Sequence, residues 1–162
     1  MKYFKYFLQF VLIILSFSVF KLFGFKISSN LSGKIFEVIG PLFRSKKIIH
    51  SNIKRAIPDI NYEKLNKLTK LMWNTYGRIF AEYIFIKDFR YGKLTNNIKI
   101  NGKENLDEII KSNKQVIFIS GHFDNFELMA LYLEKAGVKL SAIYRPLNNI
   151  FLNKIMEKIR EK

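Results

Sequence analysis

The chain has 162 residues, a net charge of +15 and no cysteine. This length accommodates one domain with its own core, and the lack of cysteine excludes a disulfide framework, a thiolate nucleophile and zinc sites built on cysteine. Because His50 and His122 are the only histidines, we predict no histidine-rich metal site, and any imidazole chemistry depends on one of these two residues.

The positive charge has two explanations. Of the 28 basic residues, 22 are lysine, and such a compositional bias raises the isoelectric point without any partner. Alternatively, the excess attracts anions, among which phosphorylated lipids, an anionic membrane surface, an acidic carrier protein and nucleic acid are candidates.

The chain begins with an apolar stretch over residues 3–25, interrupted only by Lys5, Gln9 and Lys21. A membrane-spanning helix needs about 20 apolar residues, and Lys21 can reach the interface through its long side chain. No cleavage site of small residues follows the stretch. We therefore predict a retained anchor over residues 1–26, either a transmembrane helix or a helix lying in the membrane interface.

Charge predicts the orientation of this anchor. The basic residues that accompany or follow the stretch outnumber Lys2 and Lys5 at its start: Lys21, Lys26, Lys34, Arg44, Lys46 and Lys47. The positive-inside rule then predicts a single-pass inner-membrane protein with most of the chain in the cytoplasm and its basic region against anionic lipid. Nucleic acid is not predicted as a partner, because no recognition motif appears.

Residues 27–95 are predicted to be a helical region. A helix over residues 31–47 should be kinked or split at Gly40-Pro41. Residues 62–86 carry apolar side chains at helical spacing and predict a longer helix, for which Asn61 is the candidate N-cap.

Residues 96–162 alternate between segments typical of strands and segments typical of helices. Strands are predicted at 116–120 and 139–144, and helices at 125–136 and from Asn149 onward. This order predicts an α/β fold with a mostly parallel β-α-β sheet. Two or three strands are too few for a complete sheet, so we expect only the start of an incomplete α/β domain here.

The turn after the first predicted strand carries the catalytic candidates. His122 lies five positions before Glu127, and the two side chains meet only if His122 precedes the helix and its loop folds back. Gly121 allows the backbone that freedom. His122 could then act as general base on an alcohol, oriented by Glu127. The alternative is a histidine in a turn and a surface glutamate in a helix.

Two further residues are candidates for substrate binding, Asn125 and Arg145. Asn125, like Asp124, is also a candidate N-cap of the helix. Arg145 precedes Pro146, which holds the backbone before it extended, so its guanidinium could bind a phosphate or form a surface salt bridge. Because sites in parallel sheets form beyond the carboxyl ends of strands, His122 and Arg145 are expected to share one crevice.

These motifs together resemble the bacterial lipid A biosynthesis acyltransferases, the lauroyl/myristoyl transferase family. Residues 121–127 look like that family's His-x4-Asp/Glu block, although Phe126 stands where tryptophan is usual, and residues 144–149 look like its Tyr-Arg-Pro block. Weaker similarities lie at residues 52–58, 73–82 and 100–106. The resemblance covers nearly the whole chain, but only about the first half of a full-length member.

The resemblance implies transfer of a fatty acyl group from acyl carrier protein to a hydroxyl of a phosphorylated lipid A precursor, at the cytoplasmic face of the inner membrane. His122 would be the base and Glu127 its support, with Arg145 and Asn125 on the substrate. It implies no metal or organic cofactor. Two alternatives stay open: an acyltransferase acting on another glycolipid, and a truncated, non-catalytic remnant that binds membrane or lipid.

Overall fold

A computed structural model describes residues 1–160. The helices follow in chain order as α1 (Lys2–Ile39), α2 (Lys46–Ala56), α3 (Tyr62–Glu82), α4 (Ile86–Tyr91), α5 (Lys103–Ser112), α6 (Glu127–Lys135) and α7 (Ile150–Arg160). Short 3-10 turns cover Gly40–Leu42, Tyr83–Phe85 and Thr95–Asn97. No β-strand occurs within residues 1–160.

The predicted α/β fold is therefore wrong. Residues 116–120 and 139–144 are irregular rather than strands, and apolar side chains within them are exposed, Ile119 to 93%. Their apolar pattern indicates burial on both faces, but a strand forms only when a neighbouring strand pairs with its N–H and C=O groups. A sheet of only two short strands, with neither face covered by another element, is at best marginally stable in water. The helix predicted between them is present as α6.

Helix α1 is interrupted at Gly24, whose φ of 75° and ψ of 169° are not helical. Only glycine adopts this conformation without strain. The segment before it, Lys2–Phe23, is long and apolar enough to cross a membrane by length and composition, and 6% of its most apolar window is buried. After Gly24 the helix continues to Ile39, well past residue 26.

Two predicted helix boundaries are confirmed. Helix α1 ends at Ile39, and Gly40–Leu42 form a 3-10 turn around Pro41, because proline has no N–H to continue the helical bonding. Asn61 caps α3, with its Oδ1 accepting a bond of 2.9 Å from the N–H of Lys64.

The chain forms two compact units, Ser16–Ile84 and Met1–Leu15 together with the chain from Phe85 onward. In the unit Ser16–Ile84, the part of α1 after Gly24 packs along α3. Phe80 of α3 lies at the centre of an aromatic cluster, with centroid distances of 5.3 Å to Phe17, 6.0 Å to Phe20 and 5.5 Å to Phe36.

Polar side chains also join α1 to α3. Ser29 donates to Oε1 of Glu82 at 2.7 Å, and Arg78 donates to Ser29 at 3.3 Å. Asn74 donates to Oε1 of Glu37 at 2.6 Å. Each bond links residues far apart in sequence, so the network fixes the register of one helix against the other.

In the second unit, α4 packs against α6. Arg90 is buried and forms an ion pair with Glu134. Phe89 of α4 and Leu131 of α6 are also buried. This packing holds α6, whose first residue is Glu127.

Candidate active site

His122 lies outside any helix and is exposed to solvent. Its ring meets the Phe126 ring edge-on, with the centroids 4.3 Å apart. Phe126 immediately precedes α6, so this contact places the imidazole near the start of that helix. An imidazole that is both accessible and held by an aromatic neighbour can receive a proton from a bound hydroxyl.

A tight turn connects His122 to α6. Asp124 has a φ of 48°, a left-handed conformation that asparagine and aspartate tolerate better than most residues. The N–H of Phe126 donates to the Asp124 carbonyl at 3.0 Å, and the N–H of Leu128 donates to the Asn125 carbonyl at 3.1 Å. The turn therefore bends the chain between the predicted base and the helix.

Glu127 is the first residue of α6 and is half-buried. The helix dipole favours a carboxylate at this position. The geometric condition that His122 precede the helix is thus met. Asn125, half-buried in the turn between them, lies on the same stretch of backbone.

Arg145 lies in the irregular segment between α6 and α7 and is exposed. Hydrogen bonds to α7 hold the residues on both sides of it. Tyr144 donates to Oε1 of Glu157 at 2.7 Å, and the N–H of Leu147 donates to Oδ1 of Asn153 at 2.9 Å. Arg145 therefore lies on a segment that is hydrogen-bonded to α7 on both sides of it.

The reason to expect His122 and Arg145 in one crevice was the shared edge of a parallel sheet. No sheet occurs within residues 1–160, so the predicted crevice shared by His122 and Arg145 loses its structural basis. What the structure does bring together is His122, its contact Phe126 and the first turn of α6.

Asn149 makes a long-range contact that the sequence did not reveal. It is buried, and its Oδ1 accepts bonds from the N–H groups of Phe151 at 3.1 Å and Leu152 at 3.4 Å, which caps α7. Its Nδ2 donates to the Tyr6 carbonyl at 2.8 Å. The cap was readable from an asparagine at the start of an apolar periodic segment, but the bond to Tyr6, far away in sequence, was not.

An open cavity of about 520 Å³ lies beside α6. Its walls are mixed: the apolar Leu106 of α5 and Leu128, Met129 and Leu133 of α6 stand beside the polar Asn97, Lys99 and Asn101. Leu128 directly follows Glu127.

His50, the other histidine, has a different environment. It lies in α2, in a shallow basic depression lined by Lys47, Ser51, Lys54 and Arg55. Partial burial, followed by repulsion from Lys46 and Lys54, lowers its pKa below the usual value of 6.5. No group of three or more metal-ligating side chains is placed to hold an ion within residues 1–160.

Comparison with known proteins supplies the class. The family model of the bacterial lipid A biosynthesis acyltransferases matches residues 1–162. The chain belongs to this family, and its class is that of acyltransferases of lipid A biosynthesis. The family and the apolar N-terminal helix together indicate membrane association. No curated protein and no solved structure matches the chain.

Proposed function

We propose that the protein transfers a fatty acyl group from acyl carrier protein to a hydroxyl of a phosphorylated lipid A precursor at the cytoplasmic face of the inner membrane. The family match over residues 1–162 is the observation that carries this proposal. The basic chain supports it, because both the donor protein and the phosphorylated acceptor are anionic.

His122 is the proposed general base. Its imidazole takes the proton from the acceptor hydroxyl while the hydroxyl oxygen attacks the thioester carbonyl carbon. The tetrahedral intermediate then collapses, the C–S bond breaks, and the imidazolium returns the proton to the departing thiolate. The exposed ring and its contact with Phe126 support this role, since substrate can reach a ring whose position is held.

Glu127 is the proposed orienting residue. A carboxylate beside the imidazole selects its tautomer and stabilises the imidazolium that forms during transfer. Its place as the first residue of α6 fixes it on a rigid element.

Arg145 and Asn125 are the proposed substrate-binding residues. Arg145 can bind an acceptor phosphate with two parallel hydrogen bonds, and its segment is anchored to α7 on either side. The amide of Asn125 can bind a hydroxyl or carbonyl next to His122.

The cavity beside α6 is the proposed place for the acyl chain. Its volume of about 520 Å³ falls within the usual range for ligand pockets, roughly 300–1,000 Å³. The apolar residues of its walls suit a hydrocarbon, whose transfer from water is favourable. Leu128 in the cavity wall directly follows Glu127 in sequence.

The test is a reconstituted transfer reaction. The protein in phospholipid vesicles is mixed with an isotopically labelled acyl–acyl carrier protein and a lipid A precursor, and the lipid is analysed by mass spectrometry. We expect one labelled acyl group on the precursor. Product with acyl-coenzyme A but none with acyl–acyl carrier protein would refute the donor, and label on a different glycolipid alone would refute the acceptor. Lipid binding without transfer from either donor would identify a non-catalytic remnant.

A further inference from the structure

The part of α1 after Gly24 carries a continuous row of exposed apolar side chains. Its members are Ile27, Leu31, Ile35 and Val38, and Leu42 in the following turn extends it. We call these five residues the outer stripe. At 100° per residue, the four in α1 lie within roughly 80° of the helix circumference. These four residues therefore form one face of α1. Val38 on this face is 77% exposed, and Leu42 in the following turn is 84% exposed.

On the opposite face of the same helix the buried residues are small or polar, and Phe36 also packs there against Phe80. Ser28, Ser29, Ser32 and Gly33 all lie against the remainder of this unit. Ser28 donates to the Phe20 carbonyl at 2.7 Å, and Ser29 joins the polar network with Glu82. A surface helix of a water-soluble protein has the reverse arrangement, with its apolar stripe inside. Small residues inside and large apolar residues outside are instead typical of helices that face lipid.

We propose that the outer stripe is a second membrane contact, separate from the Lys2–Phe23 segment, at which this helix lies in the surface of an anionic bilayer. The non-helical backbone of Gly24 ends the straight course of the first segment, so the following helix need not share its axis. The stripe begins at Ile27, only a few residues after the apolar segment Lys2–Phe23. If that segment is in the membrane, lipid is the apolar environment closest to the stripe.

Charge around the stripe favours anionic headgroups as the polar layer. Lys34 borders the stripe on the helix, and Arg44, Lys46 and Lys47 follow its end, all of them exposed. Glu37 is the only acidic residue before Asp59. It is turned to the other face, where it bonds to Asn74 and Lys70. Basic residues flanking an apolar face are the pattern of interfacial helices on anionic membranes.

This contact goes beyond the proposed acyl transfer, and its test measures no catalysis. Since the chain contains no cysteine, single cysteines can carry an environment-sensitive fluorophore. Ile27→Cys, Leu31→Cys, Ile35→Cys and Val38→Cys probe the stripe, and Lys67→Cys on the exposed side of α3 is the matched control. Each protein is reconstituted into vesicles of zwitterionic phospholipid containing a minority of phosphatidylglycerol.

Spin-labelled lipids that quench at shallow acyl depth distinguish the outcomes. We expect blue-shifted emission and lipid quenching at the stripe positions, and neither at Lys67→Cys. Water-like emission without lipid quenching at the stripe would overturn the proposal. Blue-shifted emission that lipid does not quench would overturn it too, since a second copy or another protein would then cover the stripe.

Discussion

Gly77 of α3 lies directly against the main chain of Ser32 in α1. A Cβ atom at position 77 would come within 2.4 Å of the Ser32 carbonyl oxygen. The absence of a side chain there sets how closely the two helices approach. Their polar network and the aromatic cluster around Phe80 both depend on that distance.

Gly77→Ala should destabilise the unit Ser16–Ile84 by about 1–3 kcal/mol, because the methyl group meets backbone that cannot move aside. Intrinsic propensity acts in the opposite direction, since alanine favours a helix over glycine by about 1 kcal/mol. Equilibrium unfolding in detergent micelles measures the change. Lys67→Ala, on an exposed position of the same helix, is the control, and a Gly77→Ala variant at least as stable as that control would contradict the close approach.

Glu37 should make the free energy of unfolding depend on pH in the acidic range. Its hydrogen bond from Asn74, and then the one from Lys70, lower its pKa below the usual 4.5. A carboxyl group whose pKa is lower in the folded state stabilises that state above the ordinary pKa, and this contribution is lost as pH falls through the lowered value. Thermal unfolding as a function of pH should therefore show the wild type losing its advantage over Glu37→Gln below about pH 4.5. A pH-independent difference between the two proteins would be evidence against the bond.

Glu134→Gln should destabilise the α4–α6 packing by about 1–3 kcal/mol, since it removes the charge partner of the buried Arg90 guanidinium. The expected loss is modest because the Glu134 side chain is 48% exposed and water screens its charge. Glu108→Gln, on the exposed surface of α5, is the matched control in chemical unfolding. Equal stability of the two variants would mean that water already screens the pair.

His122→Ala should lower the transfer rate by roughly 10²–10⁴-fold, the usual contribution of a general base. Membrane insertion should be unchanged, because His122 is exposed and outside the helices. Glu127→Gln should cause a smaller loss, since the base remains. His50→Ala is the control, and a His122→Ala variant as active as His50→Ala would remove His122 from the mechanism.

Arg145→Ala should weaken binding of the phosphorylated acceptor more than it slows hydrolysis of the donor thioester. Each activity is measured separately, with and without acceptor. Arg145→Lys should recover only part of the binding, because lysine cannot form the paired bonds of a guanidinium. Arg55→Ala, an exposed arginine of α2, controls for loss of charge. Equal loss of both activities in Arg145→Ala would indicate a structural role.

Local signals predicted much of the helical part. Asn61 and the apolar spacing after it predicted α3 with its cap, and Gly40-Pro41 predicted the end of α1, because these features depend on residues within one or two turns. The prediction of strands at 116–120 and 139–144 was wrong for the opposite reason. An apolar run records that a segment is suited to burial, whereas a strand exists only when a distant segment pairs with it.

The candidate site was likewise only partly predictable from the sequence. The motif around His122 and Glu127, and the family that it resembles, were readable from residue types and spacing. The edge-on contact of His122 with Phe126 was not, because it depends on the left-handed turn at Asp124.

By itself, the sequence determined the chemical groups available, the apolar N-terminal segment, the family and the helices whose start or end is encoded locally. Only the tertiary structure decided which face of α1 is inside, that Asn149 binds the Tyr6 carbonyl, and that the described residues contain no sheet. The physical reason is that burial and hydrogen bonding across many residues of separation depend on which surfaces meet, and a residue's own neighbours in sequence do not specify that.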